Sequence, residues 1–431
     1  MVFLNFADIF FTTMARIAIL TDILNLRKYL VTKLESLLNK YTLVNINHQH
    51  FMKIISKHIP FVDLTLQHQP LKTELENAIQ AVLERGDFIL GEALEKFETS
   101  FAAACGVQYA IGVACGTDAI ALGLQACGIG EGDEVILPAN TFIATLIGVI
   151  HAGATPVLVD CDLQTALIDL EAAQKAVNSK TKVILPVHLY GQMVSPSQLQ
   201  DFAQANNLMI FEDTAQAHLA EREGYCAGSV GTAAAFSFYP SKNLGCFGDG
   251  GIVITNQLEV ANKMRSLRNY GAARKYVHEV TGTNSRLDTI QAAVLDVKLP
   301  YLSGWNSDRN KAAQKYDTLL RPIKDQGIIP IKNLSGSGHI YHLYVIRVTD
   351  ASPIDRDTLK EKLTATGISV GIHYPIPCHL QPAYQNLGYK QGDFPYSEIL
   401  SQQILSLPMY PGISEEQINY VVQAISQAID K

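Results

Sequence analysis

The sequence predicts an α/β protein: a large domain with a mainly parallel sheet covered by helices, then a smaller C-terminal α+β domain. Two observations support this. Between residues 109 and 255, short runs rich in Val, Ile and Leu alternate with amphipathic stretches. Strands apolar on both faces belong to a sheet buried on both sides. After about Lys298 that rhythm breaks, and longer helical patterns alternate with only two further apolar runs. With 431 residues, 48% of them hydrophobic and 17% charged, the chain is long enough for two or three domains around a large core.

Taken in order, residues 1–58 form an N-terminal extension unlike the rest. The Phe3 to Leu20 stretch is apolar but broken by Asp8 and Arg16, which argues against a membrane span. From Ile17 onward Leu20, Leu24, Val31, Leu34 and Leu38 fall at helical spacing. Two readings stand for this region: a packing or membrane-surface helix, or sequence lying upstream of a true start at Met52. The large domain is placed at 59–308. It opens with helical patterns over Leu71–Arg85 and Glu92–Ala104. Strands are expected at 109–113, 134–138, 155–159, 183–188, 208–212, 233–238 and 251–255, with helices at 117–127, 142–152, 168–177 and 196–205 between them. The small domain is placed at 309–431, with helices at 309–320, 355–366 and 414–429 and strands at 342–348 and 368–373. Ser414 is the expected N-cap of the closing helix.

A net charge of −7 with no long basic run argues against a nucleic-acid surface. The seven cysteines are scattered and none forms Cys-x-x-Cys, so they read as reduced thiols of a cytoplasmic protein, with no metal site. Asp160-Cys-Asp162 has the look of a metal-binding Asp-x-Asp but reads better as a turn.

In open α/β sheets ligands bind beyond the carboxyl ends of the strands. Gly116-Thr117-Asp118 follows one strand and opens a helix, the setting for a phosphate. Phe142 follows the next strand and suits ring stacking or core filling. Asp213 directly follows a strand and precedes Gln216. Ser237 stands just before a turn that holds Lys242 among apolar and small neighbours, and a recessed lysine is a nucleophile suited to carbonyl chemistry. A phosphate cradle, a ring clamp, a carboxylate and a recessed amine together fit pyridoxal phosphate.

Residues 59 to 430 resemble the DegT/DnrJ/EryC1/StrS sugar aminotransferases, fold-type I pyridoxal-phosphate enzymes. The motifs are Ile59-Pro-Phe-Val-Asp-Leu64, Gly116-Thr-Asp-Ala119, Pro138-Ala-Asn-Thr-Phe142, Val187-His-Leu-Tyr-Gly-Gln192, Glu212-Asp-Thr-Ala-Gln-Ala-His218, Phe236-Ser-Phe-Tyr-Pro-Ser-Lys-Asn-Leu-Gly245, Arg268-Asn-Tyr-Gly271, Asn284-Ser-Arg-Leu-Asp288 and His373-Tyr-Pro-Ile-Pro377. The resemblance implies that Lys242 carries the Schiff base and moves the proton. Asp213 would pair with the pyridine nitrogen and Gln216 would contact the ring hydroxyl side. Gly116, Thr117, Asp118 and Ser237 would hold the phosphate, and Phe142 would stack on the ring. Asn284 would reach the phosphate of a neighbouring subunit, making the active unit a homodimer. His373 and Tyr374 would shape the sugar pocket.

The implied reaction moves an amino group from L-glutamate to a nucleotide-linked keto sugar. The 373–384 stretch is most similar to branches that aminate C3 of a dTDP-linked 3-keto-6-deoxyhexose. Amination at C4, a UDP-linked 3-keto sugar, and a non-catalytic pyridoxal-phosphate-binding regulator are the alternatives. One departure from the family pattern is Leu219, which stands after His218 where glycine is usual.

Overall fold

A computed structural model describes residues 58–274 and 276–430. Both readings of the N-terminal extension, as a helix and as sequence upstream of Met52, fall on segments outside these residues. The chain from Ile59 onward forms one compact unit.

Seven strands build the central sheet: β1 (Tyr109–Val113), β2 (Glu134–Pro138), β3 (Thr155–Val159), β4 (Thr181–Ile184), β5 (Met209–Asp213), β6 (Ala233–Ser237) and β7 (Gly251–Thr255). Their order is β1-β7-β6-β5-β4-β2-β3. β2 pairs parallel with β3 and β4, β4 with β5, and β5 with β6; only β7 runs antiparallel to its neighbours. Both faces are covered. One carries Ile111, Phe211 and Val253, and the other Ile136 and Ile184 together with a cluster of Phe97, Phe101, Phe236 and Phe238. The expected mainly parallel sheet is therefore present.

Alternation along the strands positions the site. Phe101 meets Phe236 edge-on with ring centroids 5.1 Å apart, and Phe97 meets Phe238 at 5.4 Å. These two anchors turn Ser237 toward the opposite face. On β5 the neighbours Glu212 and Asp213 diverge in the same way. Glu212 is fully buried and accepts from the backbone N–H groups of Gly228 (2.9 Å), Val230 (2.9 Å) and Gly231 (2.8 Å), with His188 Nε2 at 2.8 Å. Val194 donates its N–H to His188 Nδ1 at 3.1 Å, so the ring's proton sits on Nε2 and points at Glu212.

The strand expected at 183–188 is shorter, ending at Ile184, because Pro186 has no N–H for the ladder. A further sheet joins β8 (Ile328–Pro330), β9 (Tyr344–Val348) and β10 (Ile404–Leu407), all antiparallel. Segment 368–373 is not a strand. It makes only single bridges, Ile368 with Ile59 and Gly371 with Ser406 on the outer edge of β10. The helix expected from Arg309 starts at Leu302 and runs unbroken to Leu320, so the 308/309 boundary lies inside it. Helices Leu258–Leu267, Thr289–Lys298 and Pro395–Gln403 were not legible in advance. The closing helix Glu415–Ile429 is capped by Ser414, with Gln417 completing a capping box.

All seven cysteines are free. Asp162 braces its own turn, accepting from the N–H groups of Gln164 and Thr165, while Asp160 accepts from those of Tyr396 and Ser397 at the start of the helix Pro395–Gln403. Among the described residues no helix is long and apolar enough to cross a membrane.

Candidate active site

A cavity of about 410 Å3 opens at the carboxyl ends of the parallel strands. Gly116, Thr117, Phe142, Asp213, Gln216, Ser237, Lys242, His373 and Tyr374 all line it. The loops after β1, β2, β5 and β6 deliver most of them, and the segment beyond β9 brings His373 and Tyr374.

At one end Asp213 is 4% exposed. Thr145 Oγ1 donates to its Oδ2 at 2.8 Å, and the Ala215 N–H donates to its Oδ1 at 3.0 Å. Thr141 Oγ1, in the loop ahead of the helix Ile143–His151, lies 2.7 Å from Thr145 Oγ1 and completes the relay. Burial raises the Asp213 pKa against the opposing pull of these hydrogen bonds and of Lys242. Lys242 shows the mirror effect. Burial lowers its amine from 10.5 to about 8, with Asp213 pulling the other way. A lysine so placed is a competent base near neutral pH.

At the other end stands the helix Gly116–Ala126, whose first N–H groups have no partner within the helix. A Cβ on Gly116 would stand 2.7 Å from the Cβ of Ser237, so only glycine allows helix and strand to meet here. The result is a cradle of N–H groups and hydroxyls from Thr117 and Ser237, fitted to a phosphate. Replacing Gly116 with alanine is expected to destabilise the fold by about 1–3 kcal/mol. It should also weaken cofactor affinity at least about tenfold, through the displaced cradle. Thermal melts and cofactor titration measure the two effects.

Two expected residues lie elsewhere. The Asp118 carboxylate accepts from Ser285 Oγ at 2.6 Å, which ties the helix start to the 284–288 segment. Asn284 lines a neighbouring cavity of about 550 Å3 that shares Asp249 with the first. Gln216 is held at both ends of its amide. It accepts from the Tyr190 N–H at 2.7 Å and donates to the Tyr374 hydroxyl at 3.1 Å. The Tyr190 hydroxyl donates to the His373 carbonyl at 2.6 Å, and Phe142 lies 5.1 Å from the Tyr374 ring. Burial, aided by Lys242, lowers His373 to about 4 and His218 to about 3, so both are neutral. Leu219 has φ 59°, a left-handed conformation that favours glycine.

Sequence reasoning missed Thr141, Thr145, Tyr190 and His342, all close to this chemistry. The i, i+4 spacing of the two threonines was the available signal.

The profile of the DegT/DnrJ/EryC1/StrS aminotransferase family matches residues 69–426. The chain belongs to this family. It is an aminotransferase, and its cofactor is pyridoxal phosphate. Similar proteins include a "pleiotropic regulatory protein" of Geobacillus stearothermophilus, 44% identical over 86% of this chain and 98% of that protein. A dTDP-3-amino-3,4,6-trideoxy-alpha-D-glucose transaminase of Streptomyces venezuelae is 42% identical over 86% and 96%. The crystal structure of S. venezuelae DesV in complex with a ketimine intermediate superposes with a TM-score of 0.83 at 42% identity, covering 87% of this chain and all of that one. The residues present here fit the family's cofactor: the helix start at Gly116 beside Ser237 would hold a phosphate, and Asp213 and Lys242 would supply the charge partner and the amine.

Proposed function

We propose that the protein transfers the amino group of L-glutamate to a nucleotide-linked keto sugar. The keto sugar is a dTDP-linked 3-keto-6-deoxyhexose. The reading is of a cytoplasmic homodimer in which Asn284 reaches the partner's phosphate site. The observation that carries it is one cavity holding a buried carboxylate, a recessed lysine and a phosphate cradle, in a chain similar along most of its length to a dTDP-amino-sugar transaminase.

Bound pyridoxal phosphate supplies the electron sink for the charge left on the substrate carbon when its proton departs. The protein's own groups do the rest. Lys242 Nζ, lowered to about 8, would take the proton from the amino donor's Cα and hand it to the cofactor's former aldehyde carbon, C4′. Asp213 holds negative charge against the ring nitrogen, and Thr145 and the Ala215 N–H keep its two oxygens in place. Thr117, Ser237 and the helix start grip the phosphate. Gln216, tied to Tyr190 and Tyr374, fixes the wall beside the ring. The same groups run in reverse on the keto sugar, so the kinetics are ping-pong.

The deciding experiment incubates the enzyme and L-glutamate with a panel of dTDP- and UDP-linked 3-keto and 4-keto sugars and identifies products by NMR. A dTDP-3-amino sugar is expected. A 4-amino or UDP-linked product would move the substrate to one of those alternatives. Cofactor binding without turnover on any sugar would favour the regulator reading, which the name of the Geobacillus relative suggests. Sedimentation of the loaded enzyme reads the homodimer.

A further inference from the structure

We propose that Lys298 is a positioning residue for this reaction, acting through the Gly245 carbonyl on the turn that carries Lys242. The inference rests on the assignment of Lys242 above. Lys298 ends the helix Thr289–Lys298 and is 1% exposed, an unusual place for an amine. What surrounds its Nζ is a carbonyl, an imidazole and an aromatic face. It donates to Gly245 O and lies 3.1 Å from His68 Nε2 and 5.6 Å from the centroid of the Phe247 ring. The His68 ring meets Phe247 edge-on at 5.0 Å. His68 is lowered to about 4 by burial and by Lys298, so its Nε2 is free to accept from the ammonium.

Two distant stretches, at His68 and Lys298, thus close on the turn around one carbonyl. That carbonyl belongs to a turn folded tightly on itself. The Lys242 N–H donates to Tyr239 O at 2.8 Å, and the Cys246 N–H to Phe238 O at 2.9 Å. A Cβ on Gly245 would stand 2.3 Å from Pro240 O, so the two ends of the turn touch. Between them Asn243, 1% exposed, donates to Asn306 Oδ1 at 2.8 Å and Ile340 O at 3.1 Å. Lys242 is therefore flanked by two fixed points, Asn243 and Gly245. Any slip at Gly245 moves the backbone from which the reacting amine projects. A charge-assisted bond to a carbonyl is stronger than a neutral one and suits a clamp. Proton transfer is sensitive to displacements of about 1 Å, which can change rates about 100-fold.

The test compares Lys298→Met, which keeps the length but not the donors, with Lys298→Arg, both as full chains loaded with cofactor. Hydrogen exchange over residues 239–246 is expected to accelerate about tenfold or more in the methionine variant, with residues 134–159 unchanged. Its kcat should fall about 10- to 100-fold with both KM values held within about twofold. Arginine should restore both. His68→Leu, which removes the second acceptor, should loosen the same segment more mildly and covers the case where the methionine variant does not fold. Wild-type exchange in the 239–246 segment, a loosening spread evenly over the chain, or failure of arginine to rescue would each overturn the proposal. Borohydride treatment of wild type separates the two ideas. If no cofactor is fixed to Lys242, the assignment of the reacting amine fails, while the exchange data still decide the clamp.

Discussion

Lys242→Ala is expected to abolish amino transfer, with the glutamate half-reaction slowed by about four orders of magnitude or more. The amine has two tasks in the proposed reaction, holding the cofactor carbonyl and carrying the proton, and alanine performs neither. Burial is what fits the wild-type amine for them, by lowering it to about 8. The same shift fixes the sign of the stability effect. The folded-state value lies below the unfolded 10.5, so the stability tied to this group is present above 10.5 and lost as pH falls through about 8. At pH 7 the buried ammonium of the empty protein is therefore a burden, and the alanine variant should melt no earlier than wild type without cofactor. Stopped-flow absorbance on mixing with L-glutamate reads the rate, and borohydride reduction followed by peptide mass spectrometry reads the attachment site. Undiminished transamination by the alanine protein would remove Lys242 from its role.

Asp213→Asn is expected to cut turnover about 100- to 1000-fold while leaving the cofactor bound. An amide fills the same space and can still bond to Thr145 and Ala215, but it cannot hold the charge that keeps the ring nitrogen protonated. The phosphate cradle and Lys242 do not depend on it. Stability should move in the opposite direction. Burial raises the Asp213 pKa above the usual carboxylate value, so its stabilising contribution is complete below about pH 3.8 and is lost as pH rises through the raised value. Burial makes the ionised form of Asp213 costly in the empty wild-type site, and the asparagine variant should melt higher. Added cofactor pairs that charge and should stabilise wild type more than the variant, narrowing or inverting the difference. Melting curves with and without pyridoxal phosphate, beside initial rates, check both halves. Full activity in the asparagine protein would refute the charge-holding role.

The site was legible where its residues are marked by local pattern. Lys242 stands among glycines and apolar residues just past a strand, and Asp213 closes a strand of apolar neighbours, so chain order alone put both at the sheet's carboxyl edge. Gly116 is legible for the same reason. Asp118 shows the limit of that approach. It sits in the right motif, yet its carboxylate turns to Ser285, 167 residues away. The strand expected at 368–373 failed similarly. Its residues are apolar enough for a ladder, but only Gly371 bridges the outer edge of Ile404–Leu407, and Ile368 bridges Ile59 instead.

The sequence by itself therefore determined the family of chemistry: a doubly covered parallel sheet, a helix start opened by glycine, and the order in which carboxylate and lysine reach the cavity. These follow from short-range periodicity and from residue types that only certain backbone shapes accept. Tertiary structure alone decided how those groups are tuned and held. Thr145 meets Asp213 across 68 residues, Gln216 meets Tyr374 across 158, and Lys298 meets Gly245 across 53. It also shifted the pKa values of Lys242, Asp213, His218 and His373. A pKa shift measures how much water the fold removes and which charges it brings near, and neither quantity exists until the chain has packed.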